Sequence, residues 1–398
     1  MSNAWKIYML AAVSFLVGTS EFIIAGILDK VAADIGVSVS AAGQLITVFS
    51  LAYAFGTPFL MAFTARMERR KLLLYALALF VVGNGVTVLF PGFEFLVGSR
   101  VLLALSTGVF VVTALTVASK LAPADRQGSA IATLVMGFST ALIIGVPLGR
   151  VIAASYDWRM IFAGIGVLGL LAMLLIAYTI PRTDGEAPVP IRQQLALLSQ
   201  PRIVIALSIT FFWIAGYAIA YTYISPFLLE VTGMTEQGVS AGLFAFGIAS
   251  LIGSKFGGFS TDRFGVPRTL IGGMVVHAFA LILLSLFAHS ATAMIPLLVL
   301  WSFAAWSSGP TQQYHLLSLA PEASGIMLSL NSSVLQLAMA AGAGIGGIVV
   351  EQTSLLAISW IGAAGVFIAA VTAALSLGLS FSRSRRGGTG RNVQKNSA

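Results

Sequence analysis

The chain is a succession of apolar runs, each long enough to cross a bilayer and each ended by a short cluster of charges or of proline and glycine. A helix that spans the hydrocarbon core needs about 20 mostly apolar residues. Breaking the sequence at its charges and Pro/Gly clusters gives twelve such runs. The first six are roughly 5–28, 41–64, 72–90, 95–118, 128–152 and 160–180, and the second six roughly 203–227, 237–260, 269–289, 293–317, 325–350 and 355–381. They are too long for β-barrel strands and do not alternate apolar with polar. Charged residues make up only 9% of the chain, against about 25% in soluble domains. The expected fold class is therefore an all-α membrane protein, and a globular enzyme is excluded. The chain has no cysteine, so disulfides and thiolate metal sites are excluded too. Its three histidines, His277, His289 and His315, show no metal-ligand spacing. The first run lacks a small-residue cleavage site and is long enough to span, so it reads as a retained helix.

Lys and Arg counts set the orientation. With the N-terminus in the cytoplasm, the inner gaps hold Arg66, Arg69, Arg70, Lys71, Lys120, Arg126, Arg182, Arg192, Arg202, Arg263 and Arg268. The tail adds Arg383, Arg385, Arg386, Arg391 and Lys395, while the outer gaps have Lys30, Arg150 and Arg159. Both termini are expected in the cytoplasm, and the net charge of +8 reads as a topology signal, not as affinity for nucleic acid. The two halves also repeat. The gap Ala62 to Lys71 returns as Phe259 to Arg268 at an offset of 197 residues, and Gly145-Val146-Pro147-Leu148-Gly149 has its counterpart in Gly342, Gly344, Gly346 and Gly347. The expected domains are a six-helix bundle (1–180), a cytoplasmic linker (181–202), a second six-helix bundle (203–382) and a basic, disordered tail (383–398) able to touch anionic lipid. Repeated bundles of this kind point to a transporter with its site where the repeats meet.

Glu21 is the acid within the spans, with no other charge near it. A carboxylate at bilayer depth costs about 2.5–3.5 kcal/mol on insertion scales, and such residues usually carry a proton or meet a cation. Glu21 lies about seven residues before the outer end of its run, roughly 10 Å deep. Arg100 enters the fourth run from the same side to nearly the same depth. Water-poor surroundings favour the neutral acid and a guanidinium favours the carboxylate. A cavity that changes shape can therefore take a proton on one face and release it on the other. The alternative is a static ion pair tying two helices together. His277 and His315 read as satisfied buried histidines, Asp29 and Asp34 as solvated or capping residues of the outer loops, and Trp158-Arg159 as an anchor at the outer interface.

The gap motif resembles the Gly-x-x-x-Asp-Arg-x-Gly-x-x-Arg signature of the major facilitator superfamily, at Gly258, Asp262, Arg263, Gly265 and Arg268. In the first half Ala65 and Glu68 stand where that family has Asp and Gly, so this loop departs from the family's charge relay. Arg100 followed by Gly108 resembles the family's fourth-helix signature, and Gly137 with Gly145-Val146-Pro147-Leu148-Gly149 the fifth-helix signature of proton-driven exporters. Further matches run from Ala42-Gly43-Gln44, Ser106-Thr107-Gly108 and Met136-Gly137-Phe138-Ser139 to Gln312-Gln313, Asn331, Ser333, Leu335-Gln336 and Ile345-Gly346-Gly347. Together they resemble bacterial purine base and nucleoside efflux pumps. The resemblance implies two pseudo-symmetric bundles of six helices, a first and a fourth helix lining one cavity, and a monomer in the bacterial inner membrane. It also implies a small-molecule substrate, exchanged for protons without any other cofactor. Gly145, Pro147 and Gly149 would form a close-packed, bendable pivot, and Asp262 with Arg263 an inner gate. Tight packing and a plain topology signal are the corresponding alternatives.

Polar and aromatic residues within the runs suggest a pocket for a flat heteroaromatic ring, held by stacking and by amides. These are Gln44, Tyr217, Trp306, Gln312, Gln313, Asn331 and Gln336. The same residue types also gather at membrane interfaces or bond helix to helix. A broader drug or sugar exporter is the near rival, although a cation exporter would want more buried acids than Glu21. A passive channel fits the repeat and the lone acid poorly. A membrane enzyme lacks a catalytic cluster, and a helical receptor has the wrong number of spans.

Overall fold

The computed structural model describes residues 2–123, 126–185 and 196–389. Within them, twelve helices are long and apolar enough to cross a membrane. The first six are Asn3–Gly26, Val39–Phe63, Arg69–Leu89, Phe93–Leu121, Gln127–Ser155 and Arg159–Thr179. The second six are Pro201–Thr222, Glu236–Phe264, Val266–Leu286, Ala291–Leu319, Ile326–Gln352 and Ala357–Leu377. They are called spans one to twelve below. The expected all-α fold of twelve transmembrane helices is thus present. Of the expected linker, 186–195 lie outside the described residues, as do 390–398 of the tail. The last helix runs on to Thr389, so the first residues expected to belong to a disordered tail continue it.

Local chemistry repeats along with the sequence. Gly36 and Gly233, 197 residues apart, both take the left-handed conformation, at φ +72° and +70°, which costs glycine little. Each turns the chain before a capped span. Ser38 accepts from the Ala41 amide at 3.1 Å and Thr235 from the Gly238 amide at 3.1 Å, so each side chain satisfies an otherwise orphaned helix N–H.

Packing follows the same two-fold pattern. Spans one and five, two and four, three and four, and three and six pack together, as do seven and eleven, eight and ten, nine and ten, and nine and twelve. Small residues bring these helices close. A Cβ on Gly137 would stand 2.3 Å from the Ala11 carbonyl oxygen of span one, and one on Gly257 would stand 2.0 Å from the Ser307 carbonyl oxygen of span ten. The halves meet along two symmetry-related seams, span two against eleven and span five against eight.

The fifth span is not a uniform helix. A π-helical turn, Ala141–Gly145, interrupts it just before Pro147. Proline has no N–H to donate and crowds the carbonyl four residues earlier, here Ile143, and the wider turn absorbs that misfit. Beyond this point the span is buried except on one face, whereas Gln127, Gly128, Ile131, Ala132, Val135 and Met136 in its first half are exposed. The eighth span matches it. Gly247 is pressed against Ile143, whereas a Cβ on Gly258, three turns on along the same face, would meet nothing within 4 Å. The bundles are therefore closed together at the end carrying Gly26, Ser40, Arg150 and Glu236, and diverge toward the other.

Candidate functional site

Where the bundles close, a small cavity of about 20 Å³, room for about one water, is lined by residues from spans one, two, four, seven and eleven, among them Glu21, Ser50, Arg100, Tyr221, Thr222 and Met339. Its walls are mostly apolar, with Phe22, Leu45 and Phe49 beside the acid. Glu21 faces this cavity. One carboxylate oxygen accepts from Gln336 Nε2 of the other bundle at 3.2 Å, and the second is buried without a partner. The Tyr53 phenol of span two lies within electrostatic range of the same carboxylate.

Arg100 is 1% exposed. Its Nη1 donates to the Ser20 carbonyl at 3.0 Å and its guanidinium lies 5.0 Å from the Phe162 ring centre, while Nε and Nη2 have no partner. Glu21 and Arg100 thus share one cavity, as their depths lead one to expect. They form no ion pair with each other. Instead, Arg100 grips the backbone one residue before the acid. A half-buried acid and a buried guanidinium, each with polar atoms unmatched by protein, face a gap with room for about one water, enough for a proton carrier and too small for a substrate while the bundles are closed. Unpaired buried polar atoms are costly, so this arrangement is a poor way to build stability and a good way to leave a site reactive.

The polar residues of the second bundle divide. Tyr217 is stacked on Tyr221, with ring centres 5.1 Å apart, and meets Trp306 edge-on at 6.4 Å. The Tyr217 hydroxyl and the Trp306 and Trp213 ring N–H groups are buried and make no well-formed hydrogen bond, although Trp306 lies within reach of the Tyr217 hydroxyl. Gln312 and Asn331 are committed elsewhere: Gln312 Nε2 donates to the Ala206 carbonyl (2.7 Å) and to Thr210 Oγ1 (3.0 Å), which itself donates to Asn331 Oδ1 (2.9 Å). This network ties spans seven, ten and eleven together. Gln313 is exposed on the tenth span toward the diverging end, and Gln44 sits at the closed seam beside Gly347. Gln336 lies on Glu21 itself. His277 accepts from Trp301 Nε1 at 2.8 Å within the same aromatic cluster, in keeping with a satisfied core histidine on that nitrogen.

Gly145 and Gly149 pack against Thr19 and Ile23 of span one, where a Cβ would stand 2.3 and 2.0 Å from the nearest atom. Together with Pro147 they follow the helix that carries Glu21. Asp262 and Arg263 are exposed at the diverging end; Arg263 reaches only the Phe264 ring, at 5.9 Å, and neither makes an ion pair among the described residues. In the first half, the Arg69 amide donates to the Thr183 carbonyl at 2.8 Å, so the start of the linker covers the loop that holds Ala65. No group of His, Asp and Glu among the described residues is placed to hold a metal.

Two further features stand out, the first already visible in the sequence as a charge within the run 237–260. Lys255 is a charge inside the eighth span, on an exposed stretch of it. The second is a charge cluster at the closed end. Asp29, expected to be solvated or a cap, is instead paired with Arg150, which is wholly buried, and Arg150 also reaches Glu236 at 2.6 Å. Arg150 gave a signal in the sequence, an arginine one residue past Pro147-Leu148-Gly149, but the partner in the other bundle gave none. Asp34 pairs with Arg159 at 2.7 Å and accepts from Trp158 Nε1 at 3.3 Å, which gives the expected anchor its chemistry.

Comparison with known proteins agrees with the fold. The family model described as Major Facilitator Superfamily matches residues 10–343 and 206–395. The uncharacterized MFS-type transporter YbcL of Bacillus subtilis (strain 168) is 57% identical over 375 residues, covering 94% of this chain and 96% of that protein. The inner membrane transport protein YdhP of Escherichia coli (strain K12) is 31% identical over 386 residues, covering 97% of each. Among solved structures, a bacterial homologue of the human lysosomal transporter Spinster, in an inward-facing and unoccupied conformation, superposes with a TM-score of 0.72 at 17% identity, covering 96% of this chain and 97% of that one.

Proposed function

Since the chain belongs to the Major Facilitator Superfamily, and is thus a membrane transporter and not an enzyme, we propose that it is a proton-coupled efflux carrier exporting purine bases or nucleosides. It works as a monomer in a bacterial cell (inner) membrane, with the proton as coupling ion and no other cofactor. The observation that carries this reading is the Glu21 carboxylate, set in a cavity shared by both bundles and bonded across them to Gln336.

Rocking the bundles apart breaks the Gln336 contact, so the acid has different surroundings in the two states. A coupled carrier requires that difference, because a ligand shifts an equilibrium only through unequal affinity for its two ends. Arg100 fixes the first span at Ser20 and offers two free N–H groups to the cavity. Gly145, Pro147 and Gly149 let the fifth span follow the first, and Asp262 with Arg263 close the diverging end when the carrier turns over.

The aromatic wall supports a flat substrate. Tyr221 presents its ring to the cavity, Tyr217 and Trp306 are packed behind it with polar atoms to turn toward a heterocycle's edge when the bundles part, and Gln336 and Gln44 supply amides nearer the seam. Gln312 and Asn331 hold the helices behind that wall through Thr210, and Gln313 faces the diverging end. A broader drug or sugar exporter is the second reading, favoured by the apolar lining around Glu21. Uptake of labelled adenine and hypoxanthine into inside-out vesicles, with and without an imposed pH gradient, tests the proposal. Uptake that the gradient drives and unlabelled purines displace supports it. Displacement by lipophilic cations but not by purines moves the substrate to the second reading.

A further inference from the structure

The charge cluster at the closed end is built across the two bundles. Arg150 of span five is fully buried, and its own bundle holds it through Asp29 and the Gly26 carbonyl (3.1 Å). Its other terminal nitrogen, Nη2, donates to Glu236 Oε2 at 2.6 Å, and Lys30 reaches Glu236 Oε1 at 2.5 Å. Glu236 is therefore the acid that the second bundle brings to the cluster, and each of its oxygens is taken by a cation of the first. Charge-assisted bonds of this kind are the strong ones, more so when partly buried; the Glu236 side chain is only 32% exposed. Alongside, Ser225 Oγ shares its hydrogen between the Ala25 and Gly26 carbonyls across the same divide, at 3.0 and 3.1 Å.

The other seam carries a polar counterpart, Ser40 Oγ donating to Glu351 Oε2 at 3.2 Å. The 197-residue offset relates Arg150 to Gly347 and Ser40 to a neighbour of Glu236. The repeat has thus placed a contact at both symmetry-related corners, and only the corner of spans five and eight is fully ionic. The packing beside them is apolar or neutral, as where Gly247 meets Ile143 at this seam and where Gly43 of span two meets Tyr223 at the other.

We infer that Glu236 is the keystone of an ionic latch that closes this end of the carrier, captured by Arg150 and Lys30 and released when the bundles part. Arg150 keeps Asp29 when Glu236 lets go, so opening leaves no buried charge without a partner, as a reversible latch requires. The inference rests on the alternating-access part of the proposed function but not on its substrate.

The chain has no cysteine, so one introduced thiol reports access without a background. Thr222 is 0% exposed and lines the cavity beneath the latch, and Thr222→Cys would be labelled from the latch side only when that end opens. A charged, membrane-impermeant methanethiosulfonate is added separately to each face of reconstituted vesicles, with no substrate present. Glu236→Gln is expected to raise the labelling rate from the latch face at least ten-fold. Lys30→Gln, a change at a partly exposed side chain that leaves Arg150 paired, is expected to raise it about three-fold and serves if Glu236→Gln does not fold. Rates within two-fold of the parent in every folded variant overturn the latch, as does an equal rise from both faces, which would mean general loosening. Purines that fail as substrates while labelling still responds would refute the substrate reading and leave the latch standing.

Discussion

Replacing Glu21 by glutamine separates what this residue costs from what it does. The carboxylate sits at bilayer depth with a single bond, from a neutral amide, and one oxygen without a partner. Removing its charge recovers about 2.5–3.5 kcal/mol on the insertion scale. The glutamine oxygen still accepts from Gln336, so the loss is the difference between a charged and a neutral hydrogen bond, about 1 kcal/mol. Glu21→Gln should therefore leave the protein about 1.5–2.5 kcal/mol more stable, seen as a higher melting temperature in detergent. Transport should move the other way. One proton entering down 100 mV and one pH unit brings about 2.3 and 1.4 kcal/mol, together enough for a several-hundred-fold gradient of a neutral substrate. In inside-out vesicles the variant should lose all such accumulation of labelled hypoxanthine while keeping exchange down a gradient. Gradient-driven accumulation that survives would reject Glu21 as the carrier, and a lowered melting temperature would show it to be a structural tie.

Gly137→Ala puts a methyl group 2.3 Å from a backbone oxygen of span one, which cannot rotate away; overpacking should cost about 1–3 kcal/mol, whereas Gly258→Ala, with open space around it, should be neutral or gain up to about 1 kcal/mol of helix propensity. Thermal melts of the pair check both signs. Gln312→Leu strips Thr210 and Ala206 of their donor and should destabilise by about 1–3 kcal/mol while leaving substrate KM within two-fold; a ten-fold rise in KM at unchanged stability would place Gln312 on the substrate instead. Tyr217→Phe removes a buried hydroxyl with no well-formed hydrogen bond and only Trp306 within reach, so stability should change by less than about 1 kcal/mol, while purine KM should rise about ten-fold, corresponding to one lost hydrogen bond of about 1.4 kcal/mol. An unchanged KM would leave the Tyr217 ring with packing alone to do.

The sequence by itself determined the twelve spans, because a hydrocarbon layer of fixed thickness demands apolar runs of fixed length. It also determined the two-fold plan, since Gly36 and Gly233, Ser38 and Thr235, and Ala65 and Asp262 keep one offset throughout. It singled out Glu21, since an acid in an oily run is visible without knowing its neighbours. Only the tertiary structure decided who those neighbours are. Glu21 meets Gln336 from 315 residues away, Gln312 and Asn331 spend their amides on Thr210, and Arg150 finds Glu236 across a seam. A span records in its composition that it lies in lipid, but all its faces read as apolar. Which face turns inward, and which helix waits there, is set by small-residue packing between distant segments, and no single run contains that information.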